Sequence, residues 1–295
     1  MSGENIVVMF KDSFRELERK VEMPKQTGIE SLGEISRTGL VTLYARAHES
    51  LRPDAKIHDA YAVAMVEKIG KDLSPLRMGR HDEISLIMRM SKIDDEIRDF
   101  LRRNPDGVVV HFGCGWDSRF PRVDNGSVEW FDIDLPEVIT LRERLLPESN
   151  PRYHTIGASI LGEDWIGQVE DYLPRPILFA GEGVLVYFYE KQVKAFVLML
   201  RDRFPGCELV CDVSQSTVTF LDNLHLWTRG VMVRLHWGLK NPEDVEGWGE
   251  GISLLGEWNY FDAYREEFKK NFVLRILGRL WRLAGICHYQ LGERP

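Results

Sequence analysis

The chain has 295 residues, 44% hydrophobic and 28% charged, with a formal net charge of −8 and a mean hydropathy of −0.25. That composition belongs to a globular domain with a sizeable core, and the length allows one domain with an added cap. The acidic balance argues against a nucleic-acid partner, which leaves a basic stripe. Nor does any run reach the roughly 20 apolar residues of a bilayer helix, since ILFAGEGVLVYFY is broken by Gly181, Glu182 and Gly183.

The N-terminal MSGENIVVMFKD has no basic region and only a short apolar run, so a cytoplasmic protein is expected. The first hundred residues read as helical. From Asp82 to Arg103 the apolar side chains Leu86, Met90, Ile93, Ile97 and Leu101 recur at intervals of three and four, an amphipathic stripe. From Val108 the pattern changes to alternating strand and helix, with strands expected near 108–112, 128–133, 152–156, 176–181 and 207–212. Helices fit near 135–146, 163–170 and 190–203. Strands separated by helices imply a parallel sheet that binds ligands at the carboxyl ends of its strands.

Beyond Asp212 the regularity weakens. Residues 223–258 carry Trp227, Trp237, Trp248 and Trp258 among glycines and charges. Such a segment is either a substrate lid inserted late in an α/β domain or an aromatic core patch beneath a long loop. The terminal LAGICHYQLGE reads as an antiparallel edge strand. The division expected is a helical cap at 1–105, a cofactor-binding core at 106–222, a lid at 223–258 and a final helix and strand at 259–295. Cys114, Cys207, Cys211 and Cys287 include no CxxC pair and stand by no histidine cluster, so reduced thiols and no metal site are expected.

Chemistry concentrates in VVVHFGCGWDSRF, Val108 to Phe120, and VEWFDIDLPEVI, Val128 to Ile139. Gly113 and Gly115 end a β-branched run, and Asp134 follows about 20 residues on, the spacing at which a carboxylate meets ribose hydroxyls. Asp132, two residues earlier on the same strand face, is the rival. A dinucleotide fingerprint needs a third glycine, and Ser118 stands there. S-Adenosylmethionine has no pyrophosphate and needs only the first two. Arg89 lies on the flank of the apolar stripe, where a guanidinium must find an anion or reach for water.

RTGLVTLYARAHES with IHDAYA, MRMSKIDDEI, HFGCGWDSRF with FDIDLPEVI, and GEGVLVYFYEKQ occur in this order, before a terminal HYQLG. This ordered set resembles the leucine carboxyl methyltransferase family, which takes in protein phosphatase methyltransferases and tetracenomycin-type polyketide O-methyltransferases. The resemblance implies a Rossmann-like class I methyltransferase fold with S-adenosylmethionine as cofactor. It assigns Arg89 to the methionine carboxylate, with Arg46 as a second partner, and Glu182 to the amino acid end. Gly113 and Gly115 would let the cofactor cross the strand end, and Asp134 would take the ribose. Ser159 and Ile160 occupy the positions where the family carries an Asp-Leu pair for adenine; the serine is a shorter, uncharged acceptor. Asp117 follows the glycines and caps the next helix in one reading.

Methyl transfer from a sulfonium is an in-line displacement that depends mainly on alignment and desolvation. A carboxylate acceptor needs no base; a hydroxyl acceptor is helped by one, for which His225, His236 and Tyr187 are the candidates, each with a structural role as the alternative. The expected function is O-methylation of a small, polyketide-like acceptor. The alternatives are a protein C-terminal carboxylate as acceptor, a nicotinamide oxidoreductase, or a binding protein without catalysis.

Overall fold

The computed structural model describes residues 33–70, 73–77, 79–147, 149–214, 234–259 and 284–293. The N-terminal cap contributes helices α1 (Glu34–Ser50), α2 (Ala60–Ile69) and α3 (Arg80–Arg103). Asp59 starts α2 by accepting the Ala62 N–H at 2.9 Å, and Gly70, with φ of +63°, stops it in the left-handed conformation.

Seven strands follow: β1 (Val108–Phe112), β2 (Glu129–Asp134), β3 (Tyr153–Gly157), β4 (Ile177–Gly181), β5 (Cys207–Ser214), β6 (Ile252–Asn259) and β7 (Ala284–Leu291). They are interleaved with α4 (Arg119–Val123), α5 (Pro136–Leu145), α6 (Ile166–Glu170) and α7 (Glu190–Arg203). The sheet order is β3-β2-β1-β4-β5-β7-β6, parallel through β5. The five parallel strands and three following helices lie within three residues of their expected bounds.

Strand geometry divides the core. Val108, Val110 and Phe112 face one side of the sheet, with Val193, Phe196, Val197 and Leu200 of α7. Val109 faces the other, where Ile93, Ile97, Phe100 and Leu101 of α3 cover it. The stripe read from the sequence thus seals the sheet through Ile93, Ile97 and Leu101, while Met90 and Leu86 at its start pack with Ile57 and Ile87 in a smaller cluster. Another cluster joins the cap to α5: Leu40, Leu43, Met65 and Ile69 pack with Val138, Leu141 and Leu145 and with Trp116 from the loop after β1.

The segment expected as a lid departs from expectation. Residues 252–259 form β6, the sheet edge, antiparallel to β7. β7 is therefore internal, antiparallel to β5 on its other side. Trp237 is buried, Trp248 lies 6.3 Å from it between ring centroids, and both join the α7 side of the core. Trp258 packs against the α3 side. The described part of this segment is the aromatic core patch, while Trp227 and His225 lie outside the described residues. All four cysteines are free and buried.

β7 is tied to α3 through charge. His288 sits between Glu96 (2.9 Å) and Glu208 (2.8 Å), and Glu208 also takes both Arg103 nitrogens at 2.8 and 2.7 Å. His288 holds Glu96 down at about 2. Burial opposes ionisation of Glu208, yet Arg103 and His288 bring it to about 2 as well. His288 is itself raised above 6.5, the two carboxylates outweighing burial. The glutamates therefore contribute stability above 4.5 that is lost as the pH falls towards 2. His288 contributes stability that is full below 6.5 and lost as the pH rises through its raised folded value. In urea melts, the stability advantage of wild type over His288→Gln should be greatest at about pH 5 to 6 and shrink towards about pH 9. A pH-independent difference would contradict the assignment.

Candidate functional site

The sheet order reverses between β1 and β4, and in open α/β sheets that switch point opens a crevice at the strand ends. The loop after β1 forms one wall. Gly113 and Gly115 have φ of +61° and +49°. Gly113 has a packing reason as well: a Cβ there would collide with Val184 of the loop after β4. A Cβ on Gly115 would meet nothing within 4 Å, so its side faces the open crevice.

The loop is held at each residue. Gly113 N donates to Ile133 O at 2.7 Å and Gly115 N to Asp134 Oδ2 at 2.7 Å. Arg142 donates to Gly115 O at 3.1 Å, and Arg46 to Trp116 O. The Trp116 indole donates in turn to Ser36 O on α1 at 3.3 Å.

Asp134 and Asp132, rivals in the sequence, have different surroundings. Asp134 ends β2 half-buried, accepting from Gly115 N and, at 2.7 Å, from Leu135 N. Burial raises its pKa against those two bonds. Asp132 is sealed below, bonded to Arg142 (2.6 Å), His111 (2.8 Å), Trp130 (2.8 Å) and Tyr153 (2.5 Å). Burial alone would raise Asp132, but Arg142, His111 and Tyr153 bring it to about 2. A carboxylate engaged on every side has no remaining acceptor for a ligand.

The loop after β4 forms the facing wall. Glu182 accepts from Arg89 Nε at 2.6 Å and Arg119 Nη2 at 2.7 Å. Arg89, from α3, also reaches Asp212 at 3.3 Å. Asp212, near the end of β5, accepts the Gly183 N–H at 2.8 Å, and burial raises its pKa. The structure thus brings Arg89 and Glu182 together and adds Asp212, Arg119 and Arg122, which the sequence reading did not single out. Arg119 and Arg122 stood in the DSRFPR stretch, where basic residues after a glycine loop were the available signal.

Arg46 lies beneath the loop. It is buried, with Nε 3.0 Å from Asp59 and 3.8 Å from Asp117. Asp117 caps no helix; it pairs with Arg122 at 2.9 Å and Arg119 at 3.0 Å. Burial works against its charge, but Arg119, Arg122 and Arg46 hold its carboxyl well below the usual range. Ser118, in the third-glycine position, is fully buried and donates to Asp59 Oδ1 and Oδ2 at 2.6 and 2.7 Å.

Ser159 is exposed beyond β3, its hydroxyl accepting from Leu161 N at 3.3 Å, while Ile160 belongs to the core. The Tyr187 hydroxyl lies 3.5 Å from that of Thr38 on α1, and burial raises its pKa. His236 is exposed, its ring tilted against Tyr189 with centroids 4.1 Å apart, and its backbone N–H donates to Val186 O at 2.7 Å.

S-Adenosylmethionine fits these groups. Asp134 offers a half-buried acceptor beside the crevice that Gly115 leaves open, and Arg89, Glu182 and Asp212 alternate in charge as an α-amino acid does.

A family model described as leucine carboxyl methyltransferase matches residues 39–200. The chain belongs to the leucine carboxyl methyltransferase family. A tetracenomycin polyketide synthesis O-methyltransferase of Streptomyces glaucescens is 34% identical over 233 residues, covering 78% of this chain and 84% of that relative. An S-adenosyl-L-methionine-dependent methyltransferase of Gibberella zeae is 27% identical over 284 residues, covering 88% and 91%. Among solved structures, a candidate methyltransferase of Thermobifida fusca superposes with a TM-score of 0.53 at 18% identity, covering 84% of this chain and 94% of that one. The fold is that of the class I methyltransferases, and membership of the family makes the chain a methyltransferase, which overturns the oxidoreductase alternative.

Asp59 carries the prediction for this region. Its removal leaves Arg46 and Arg122 buried beside the lost charge, so Asp59→Ala should cost roughly 3–5 kcal/mol in chemical denaturation. A change below about 1 kcal/mol would contradict a supporting role for this carboxylate.

Proposed function

We propose that this methyltransferase takes its methyl group from S-adenosylmethionine and passes it to a carboxylate or hydroxyl oxygen of a small, polyketide-like molecule. The observation that carries the cofactor half is the pairing of two ligand-type sets across one crevice. Asp134 stands at the end of β2 for ribose, while Arg89 of α3 meets Glu182 at the end of β4 for an amino acid. A nicotinamide dinucleotide has no use for the second set. The acceptor half is supported by the name of the Streptomyces relative, which this chain matches over 84% of its length.

Bound S-adenosylmethionine supplies an electrophilic methyl on a positively charged sulfur. The chain has to fix its position and keep water away. Asp134 would accept from the ribose hydroxyls through the lone pairs its two N–H bonds leave over. Arg89 would meet the methionine carboxylate and Glu182 the amino end. Gly115 would admit the nucleoside past β1, while Gly113 lets Val184 of the facing loop pack close to the strand end. Ser159 would offer the adenine amino group a neutral acceptor, with the backbone next to Ile160 closing that end. Arg46 acts one layer down, holding Trp116 and with it the loop. The cap closes the crevice from above, through Trp116 bonded to Ser36 and Tyr187 beside Thr38.

An acceptor carboxylate is already an anion and requires no base. For a hydroxyl acceptor His236 is the base candidate, standing exposed between β5 and β6 with its backbone bonded to Val186 of the loop after β4. A second reading, methylation of a protein C-terminal carboxylate, draws on the family's description as leucine carboxyl methyltransferase. The two differ in acceptor alone.

In calorimetry, S-adenosylhomocysteine should bind wild type while NADH does not, and Asp134→Ala should weaken binding by about 1–3 kcal/mol, the cost of an unmade hydrogen-bond set to a charged group. Radiolabelled methyl transfer to aromatic polyketide acids and phenols, with none to peptides ending in a free leucine carboxylate, is the expected acceptor result. The reverse selectivity would establish the second reading, and NADH binding without S-adenosylhomocysteine binding would contradict both.

A further inference from the structure

An α-amino acid end presents one carboxylate and one ammonium on the same carbon, and the ammonium carries three donors. Arg89 suits the carboxylate. Glu182 alone does not meet three donors, because Oε1 already accepts from Arg89 at 2.6 Å and Oε2 from Arg119 at 2.7 Å, which leaves one acceptor position on each oxygen, two in all. A second acceptor is needed on the same wall.

Asp212 stands in that place. Gly181 and Cys211 are register partners in β4 and β5, so Glu182, just past the end of β4, stands at the level of Asp212, which is still within β5 and paired with β7. Asp212 spends one bond per oxygen: Oδ1 accepts from Gly183 N at 2.8 Å and Oδ2 from Arg89 Nη1 at 3.3 Å. Each carboxylate oxygen has two acceptor positions, so both keep one. With its side chain 16% exposed, Asp212 keeps access to the crevice, twice that of Glu182 at 8%. Gly183, φ +66°, turns the chain between the two carboxylates, and a Cβ there would come within 3.8 Å of the Arg89 guanidinium. Glu182, Arg89 and Asp212 are therefore ordered minus, plus, minus.

We propose that Asp212 is a binding residue for the α-ammonium of the cofactor's amino acid end, sharing that cation with Glu182 while fixing the direction of Arg89. The inference rests on S-adenosylmethionine being the cofactor, and it adds a residue from β5 to a site otherwise built from α3 and the segments at the ends of β1, β2, β3 and β4.

The test compares two ligands that share the adenosine and the thioether and differ in the amino acid end. S-Adenosylhomocysteine has that end; 5′-methylthioadenosine does not. Asp212→Asn keeps an amide oxygen for Gly183 N and removes the charge. In calorimetry, Asp212→Asn should weaken S-adenosylhomocysteine by about tenfold or more and leave methylthioadenosine within about twofold of wild type. Glu182→Gln measured alongside should show the same selectivity. Equal losses for both ligands would mean that Asp212 only supports the loop and would overturn the proposal, as would an unchanged S-adenosylhomocysteine affinity. Methylthioadenosine binding also reports that the variant is folded. If wild type bound neither ligand, the cofactor reading would fall, and this inference with it.

Discussion

One buried carboxylate, that of Asp59, joins the two halves of the molecule. It accepts from Ala62 N at the start of α2, from the Ser118 hydroxyl, from Arg46 Nε and from Arg122 Nη1, all within 3.0 Å. Taking a charge out of water costs several kcal/mol, and only a full set of partners offsets it. Asp59 has that set only when α2, the loop after β1 and α4 meet at one point. A cap docked elsewhere would take Asp59 and Arg46 away from this set of partners and leave Arg122 with Asp117 alone of its three carboxylates, so the network favours one arrangement.

The same charges continue to the crevice. Arg122 and Arg119 share Asp94 and Asp117, Arg119 passes to Glu182, Glu182 to Arg89, and Arg89 to Asp212. His111 accepts from Arg119 at 3.5 Å and so donates its other ring N–H to Asp132, which links the underside of the glycine loop to the same system. The groups assigned to the ligand in the proposed function are therefore held by groups that are not. For methyl transfer, where alignment accounts for much of the rate, such fixed positions matter more than any acid or base.

Parts of this were legible in the sequence. The strand runs, the stripe on α3 and the spacing from Gly115 to Asp134 are local or period-based signals, and they located the sheet and one wall of the crevice. Ser118 was visible as a missing third glycine, but its reason was not, because the bond to Asp59 spans 59 residues of chain. Asp59 did carry a local signal, an N-cap aspartate before AYAVAM, though nothing local says that the same carboxylate serves three more donors. The choice between Asp132 and Asp134 likewise depended on Arg142 and Tyr153, which arrive from α5 and β3. The far edge was misread for another reason. In ISLLGEWN the pairing register shifts between Leu254 and Gly256, which breaks the period-2 pattern that announces a strand.

A crystal structure with S-adenosylhomocysteine bound tests the central claim directly, namely that the loop and both walls are already in place before the ligand arrives. The account predicts the ribose hydroxyls on Asp134, the amino acid carboxylate on Arg89, and the Asp59 contacts to Ser118, Arg46 and Arg122 unchanged. A ligand that displaces the loop, breaks the Asp59 contacts, or places its amino acid end away from Arg89 would contradict it.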